Sequence, residues 1–266
     1  MQLDKLQIEL RPRTNAQALD LGQALLRSCA GPAYKAWLAL WLPVIALAAA
    51  LTALVPEALA LWMLLALWCK PLLERAPLYV LSRQVFGESV TGGEAVRAWP
   101  RQLGGGWFAL LTWGRPLALG RCLMQPVWQL EQARGKAARL RRKVLGRNGT
   151  MQSAVLFGLV CLCFEAVLAL GALALLGSFL GEGANPLKLL FGKSPYVPGL
   201  VLAGFALATG IMGPVYTAGG LTLYLNRRAT LEAWDIEIRL RQIRAPATTA
   251  RARGPAGAAL ALALAL

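Results

Sequence analysis

The stretch SAVLFGLVCLCFEAVLALGALALLGSFL, Ser153 to Leu180, carries a single charged residue, Glu165, in an otherwise apolar run. A helix needs about 20 residues to cross a hydrocarbon core of ~30 Å, and this run exceeds that. The composition agrees: 57% of residues are hydrophobic, 15% are charged and the mean hydropathy is +0.51. Ordinary soluble domains have about 25% charged residues. Two more runs, Ala36–Val55 and Val197–Leu225, are of spanning length. A fourth, Glu57–Leu73, is apolar as far as Trp68 and Cys69 and then meets Lys70, whose aliphatic stem lets its ammonium reach the interface. No basic segment leads a short apolar one at the start, so the first span is expected to act as an uncleaved anchor.

Charge placement orients these spans. Of 28 Lys and Arg residues, five fall in residues 1–35, fourteen in 70–150 and seven in 226–266. Cytoplasmic loops collect such residues. Both termini and the 70–150 segment are therefore expected inside, with outer turns near Pro56–Glu57 and through Gly181–Pro198. The same distribution accounts for the net charge of +15 without nucleic acid. An alanine-, leucine- and arginine-rich chain with few lysines suits a GC-rich bacterial genome, and so the inner membrane.

Residues 104–128 are apolar but broken at Gly114-Arg115-Pro116. A single crossing there would put the bases of RGKAARLRRKVLGR outside. The expected fold is thus an all-α polytopic membrane protein of four full spans plus a central re-entrant or short hairpin, six in total if that hairpin spans. From Pro126 the pattern reads as one helix to Asn148-Gly149, with Val127, Leu130, Ala137, Leu140 and Val144 as an apolar stripe. Around it stand Arg134, Lys136, Arg139, Arg141, Arg142, Lys143 and Arg147, a surface for anionic lipids or a partner protein.

Near the ends, KLQIELR (5–11) and WDIEIRLR (234–241) alternate polar and apolar residues, a strand pattern. Paired antiparallel, Glu9 faces Arg239 and Arg11 faces Glu237, giving a small cytoplasmic two-stranded ribbon that joins the termini. Between this strand and the first span, TNAQALDLGQALLRSCAGP reads as an interfacial helix capped by Thr14 or Asn15 and ended by Gly31-Pro32, with Ala18, Leu21 and Leu25 on one face. Residues 1–245 form one integral membrane domain, and 246–266 a low-complexity tail whose Ala-Leu end is too short to span.

Within the membrane, Gly204/Ala208, Ala206/Gly210 and Gly213/Thr217 place small residues four apart, where helices approach closely, and Pro214 is expected to kink the last span. Glu165 has no polar neighbour on its own face. Its candidate counter-charges are Arg115 and Lys70, either of which would lock the bundle or line a ligand cavity. Cys29, Cys69, Cys122, Cys161 and Cys163 lack metal spacing and read as apolar fillers. The chain contains no histidine, which removes histidine metal sites and Ser-His or Cys-His catalysis. No second acid lies at depth, and no phosphate-cradling loop or GxSxG elbow occurs. Neither an enzyme nor a cofactor is expected.

FGESVTGGEAVRAWPR (86–101) followed by PVWQLEQARGKAARLRR (126–142) resembles the family named for the membrane domain of glycerophosphodiester phosphodiesterases. That family places an acidic residue, here Glu131, on a cytoplasmic helix, and its last span runs into a motif matched by Tyr224, Arg227, Glu232, Asp235 and Glu237. Ala233 stands where glycine is usual. LRPRTNAQALDLG (10–22) also resembles uncharacterised bacterial inner-membrane proteins of this type. The resemblance covers roughly residues 60–240 and implies an all-helical bundle usually counted as six spans. It implies no phosphodiesterase activity, because the catalytic domain is missing, and stand-alone members look like accessory membrane subunits. Two expectations follow: a non-enzymatic subunit docking partner proteins on its basic cytoplasmic face, or a lipid or small-solute binder with a cavity near Glu165.

Overall fold

The computed structural model describes residues 13–103, 111–112, 118–179, 185 and 196–232. Among the described residues the protein is helical throughout, with nine α-helices in chain order. These are α1 (Asn15–Ser28), α2 (Ala30–Leu54), α3 (Leu59–Leu73), α4 (Arg75–Val85), α5 (Gly92–Gln102), α6 (Arg121–Gln129), α7 (Gly135–Leu145), α8 (Thr150–Phe179) and α9 (Val197–Glu232). A short 3-10 turn, Pro56–Ala58, leads into α3. Four helical stretches are long and apolar enough to cross a membrane: α2, Pro56–Val85, α8 and α9. The protein is thus a polytopic membrane protein with four candidate transmembrane helices.

Helix α9 is the central post. At 36 residues it is about 54 Å long, well beyond a ~30 Å core, so one part of it must lie outside the apolar layer. One half packs with α2 and α3 around Trp37, Trp41, Ala66, Leu202 and Phe205, and with α8 where Leu173 meets Leu200. The other half packs with α1, α4 and α6 around Leu81, Leu123, Leu221 and Tyr224. Helix α8 is the outermost element. Val167 is 65% exposed and Phe179 80%, which is tolerable only where lipid or another chain covers them.

The small residues of α9 serve contacts inside the bundle. A Cβ on Gly213 would lie 2.4 Å from the Trp37 ring, and one on Gly204 would lie 2.8 Å from the Ala169 carbonyl oxygen. Pro214 lies within α9 and has no N–H to donate to the Gly210 carbonyl. The Trp37 indole N–H donates to that carbonyl instead, at 3.0 Å. Trp41, stacked on Trp37 at 5.5 Å, donates to the Ala206 carbonyl. The backbone acceptor that proline orphans in an apolar layer therefore finds a donor on α2.

Several expectations change on this architecture. Helix α1 is capped by Thr14, with Gln17 returning the bond, but it ends at Ser28. Gly31 and Pro32 instead enter the first turn of α2. Its face of Ala18, Gly22 and Leu25 is buried, and the Cβ position of Gly22 lies 2.6 Å from Thr222 Oγ1 of α9, so α1 packs on the bundle. The single helix expected from Pro126 to Asn148 is two. Pro126 sits inside α6, and the chain breaks where Gln132 (φ 51°) and Gly135 (φ 56°) adopt left-handed backbone. The second helix ends at Leu145 with Gly146 after it, so the expected stop at Asn148-Gly149 falls in the turn leading into α8, where both residues adopt positive φ. Of residues 104–128, 104–110 and 113–117 lie outside the described residues, Arg115 with them; α6 is nine residues, too short to cross. The terminal ribbon, with Glu9, Arg11, Glu237 and Arg239, likewise lies outside the described residues.

Two glycines of α8 test the packing. A Cβ on Gly158 would lie 2.2 Å from the Leu119 carbonyl oxygen, whereas one on Gly171 meets nothing within 4 Å. Gly158→Ala is expected to destabilise the protein by about 1–3 kcal/mol. Gly171→Ala is expected to be neutral or to stabilise it by up to ~1 kcal/mol. Thermal unfolding of both variants in detergent, followed by tryptophan fluorescence, checks the contrast; equal shifts would contradict the close approach.

Candidate functional site

Lys70 and Glu74 are four residues apart at the end of α3, so one helix face carries both. They do not pair with each other. The Lys70 ammonium donates to Glu165 Oε1 of α8, forming a buried ion pair between two candidate spans. Of the two counter-charges read from the sequence, the structure brings in Lys70. Glu74, completely buried, receives Arg121 of α6 through two bonds, 2.6 Å to Oε1 and 3.2 Å to Oε2. Gln125, one turn along α6, adds a third at 2.6 Å to Oε2. The Arg121 guanidinium lies 4.8 Å over the Tyr216 ring of α9. The Tyr216 hydroxyl in turn donates to the Leu119 carbonyl at 2.6 Å and accepts from the Cys122 N–H at 3.1 Å.

This polar layer was only half visible in the sequence. Glu165 announces itself by standing in an apolar run. Glu74 does not, because its partners are 47 and 51 residues away on a helix whose pattern reads as apolar. The available signal was the i, i+4 pair Lys70/Glu74 at the end of a span.

Between the two ion pairs lies a cavity of about 110 Å³ lined by Lys70, Glu165, Arg121, Tyr216, Cys161 and Gly158 among others. It has room for a few waters, each about 30 Å³ in the liquid. Its charged lining is two bases and one acid, with Glu74 behind Arg121 matching the second base. The cavity can solvate polar groups at depth, but its charges are already satisfied within the chain. Among the described residues no three Cys, Asp or Glu side chains gather to hold a metal ion.

A second polar cluster closes the basic end. Glu131, just past α6, accepts from Arg141 of α7 at 2.8 and 3.0 Å and from the Tyr224 hydroxyl of α9 at 2.7 Å. Arg141 also donates to Glu232 at 2.5 Å, and Arg228 donates to the same carboxylate. Hydrogen bonding to Glu131, with Glu232 adding to it, holds the Arg141 guanidinium above its ordinary range. Three residues singled out by the resemblance, Glu131, Tyr224 and Glu232, therefore meet; Asp235 and Glu237 lie outside the described residues.

The basic surface divides. Arg141 turns inward to that clasp, and Arg142 packs over the Trp128 ring at 4.7 Å, so neither joins the outer face. Lys136, Arg139, Lys143 and Arg147 are exposed, as is Arg134 at the helix start. Leu140 (65% exposed) and Val144 (37%), expected to face inward, stand among them; Ala138 and Leu145 fill the buried side instead. No family model, curated protein or solved structure matches the chain.

Removing one member of a buried pair leaves an uncompensated charge, a loss of about 3–5 kcal/mol, whereas replacing both by apolar residues is often neutral or stabilising. Lys70→Met and Glu165→Leu are each expected to destabilise by that amount, and the double variant to recover most of it. Unfolding in mixed detergent micelles measures the cycle; additive losses would show that the two side chains act independently. Tyr224→Phe removes one bond to the Glu131 carboxylate and is expected to cost about 1.5–3 kcal/mol by the same assay. An unchanged midpoint would mean that the Tyr224 hydroxyl contributes nothing to the clasp.

Proposed function

We propose that this chain is a non-enzymatic subunit or scaffold of a bacterial inner membrane, docking partner proteins on its basic cytoplasmic face. The observation that supports this most is the outer face of α7. Leu140 and Val144 are exposed there, ringed by exposed Lys136, Arg139, Lys143 and Arg147, while Arg141 and Arg142 fasten the helix from behind. An apolar centre rimmed by bases fits an acidic partner or anionic headgroups, and a helix held by two inward arginines presents it in a fixed position. The buried charges at depth fit the same reading, since Lys70, Glu74 and Glu165 have ion-pair partners inside the bundle and Arg75 donates to the Gln102 carbonyl.

The placement of both termini on this face, and the likeness to the phosphodiesterase membrane-domain family, are parts of the proposal. So is the terminal ribbon. Asn226 brackets the backbone of Arg13, accepting from its N–H at 2.9 Å and donating to its carbonyl at 2.9 Å, which holds the chain two residues past the first strand pattern beside the last turns of α9. A central hairpin at 104–128, making six spans, also stays within the proposal. A second reading, a lipid or small-solute binder, is favoured by the cavity beside Lys70 and Glu165.

The test is gentle extraction of the full chain from its source membrane with Lys136, Arg139, Lys143 and Arg147 all changed to Glu. The expected outcome is loss of a stoichiometric co-purifying protein with an unchanged unfolding midpoint. Retention of the same partner would sink the docking surface. Glu165→Gln separates the second reading: a bound solute lost from a folded protein would favour the cavity over the surface.

A further inference from the structure

A groove of about 670 Å³ runs between α1, α8 and α9, away from α7 and backing onto the polar layer at Cys161. That volume lies within the ~300–1,000 Å³ typical of ligand sites. One wall is α8, where Leu156 (61% exposed), Val160 (43%) and Phe164 (56%) lie open; Leu19 of α1 and Met212 and Val215 of α9 line the groove with them. The α8 wall continues the same exposed apolar strip that leads to Val167, Leu175 and Phe179 on a candidate span. Whatever covers that strip extends into the groove.

Shape and charge select the occupant. From Ser153 to Phe164 the groove follows α8 for about 16 Å at 1.5 Å per residue. An open apolar groove of that length along a candidate span suits an extended hydrocarbon chain, which the surrounding lipid supplies. At its polar rim, Asn15 donates to Ser153 Oγ at 2.8 Å, Ser153 donates to the Gly149 carbonyl at 3.1 Å, and Gln23 donates to the Val215 carbonyl at 3.4 Å. The rim's charged group is the exposed carboxylate of Asp20, and the lining contains no lysine or arginine.

We infer that this groove binds one acyl chain of a membrane phospholipid bearing an ammonium headgroup, with the ammonium at Asp20. The chain fills an apolar slot that water cannot hydrogen-bond, and the carboxylate favours a cationic headgroup over a purely anionic one. The site is therefore distinct in preference from the basic α7 face, which favours anionic groups.

Native mass spectrometry of the full chain in mild detergent, supplied with equal phosphatidylethanolamine and phosphatidylglycerol, reads the site. One phosphatidylethanolamine is expected to be retained in preference to phosphatidylglycerol. Asp20→Asn is expected to lower that preference by roughly tenfold while a lipid is still held. Val160→Trp, which fills the slot from an exposed position, is expected to expel both lipids with the unfolding midpoint unchanged; Leu156→Trp repeats the test from the same wall. Equal retention of the two lipids, or retention of phosphatidylethanolamine in both tryptophan variants, overturns the inference. A lipid-free dimer that the tryptophan variants dissociate does so as well, by assigning the groove to a second copy.

Discussion

A charge moved from water into a low-dielectric interior loses several kcal/mol of solvation unless another charge and further hydrogen bonds replace the water. Lys70 and Glu165 meet that requirement by joining α3 to α8, and Glu74 meets it by joining α3 to α6 through Arg121 and Gln125. Two carboxylates, Glu165 and Glu74, thus tie three helices together.

The same requirement governs the backbone of α9. Its proline releases the Gly210 carbonyl, and Trp37 occupies that acceptor from α2 while covering Gly213. Small residues, proline and two tryptophans are a single device: the glycines admit the indoles, and the indoles satisfy the acceptor. Further along the same helix, Tyr216 holds the turn into α6 and Tyr224 holds Glu131, so one post organises both the apolar half and the basic end.

The sequence made the apolar architecture legible because length and hydropathy are local properties. The four spans and the Thr14 cap follow from residues adjacent in the chain. The division of 126–149 into two helices did not, because the left-handed Gln132 is stabilised by no local signal; Glu131 beside it is drawn to Arg141 and Tyr224. Periodicity also misassigned Leu140 and Val144, since a stripe on one continuous helix rotates once that helix is broken. Of the candidate site, Lys70 and Glu165 were readable as charges at depth, whereas Glu74, Arg121 and Tyr216 depend on contacts between distant segments.

In the proposed function the buried ion pairs are structural and the docking of partner proteins belongs to the surface of α7. The measurement that tests the division most directly is the partner set recovered from source membranes with the Lys70→Met/Glu165→Leu chain, which lacks the pair but leaves α7 intact. The account predicts the same co-purifying protein, in the same stoichiometry, as with the unaltered chain. A folded double variant stripped of its partner would contradict it and would make the buried pair part of the working site.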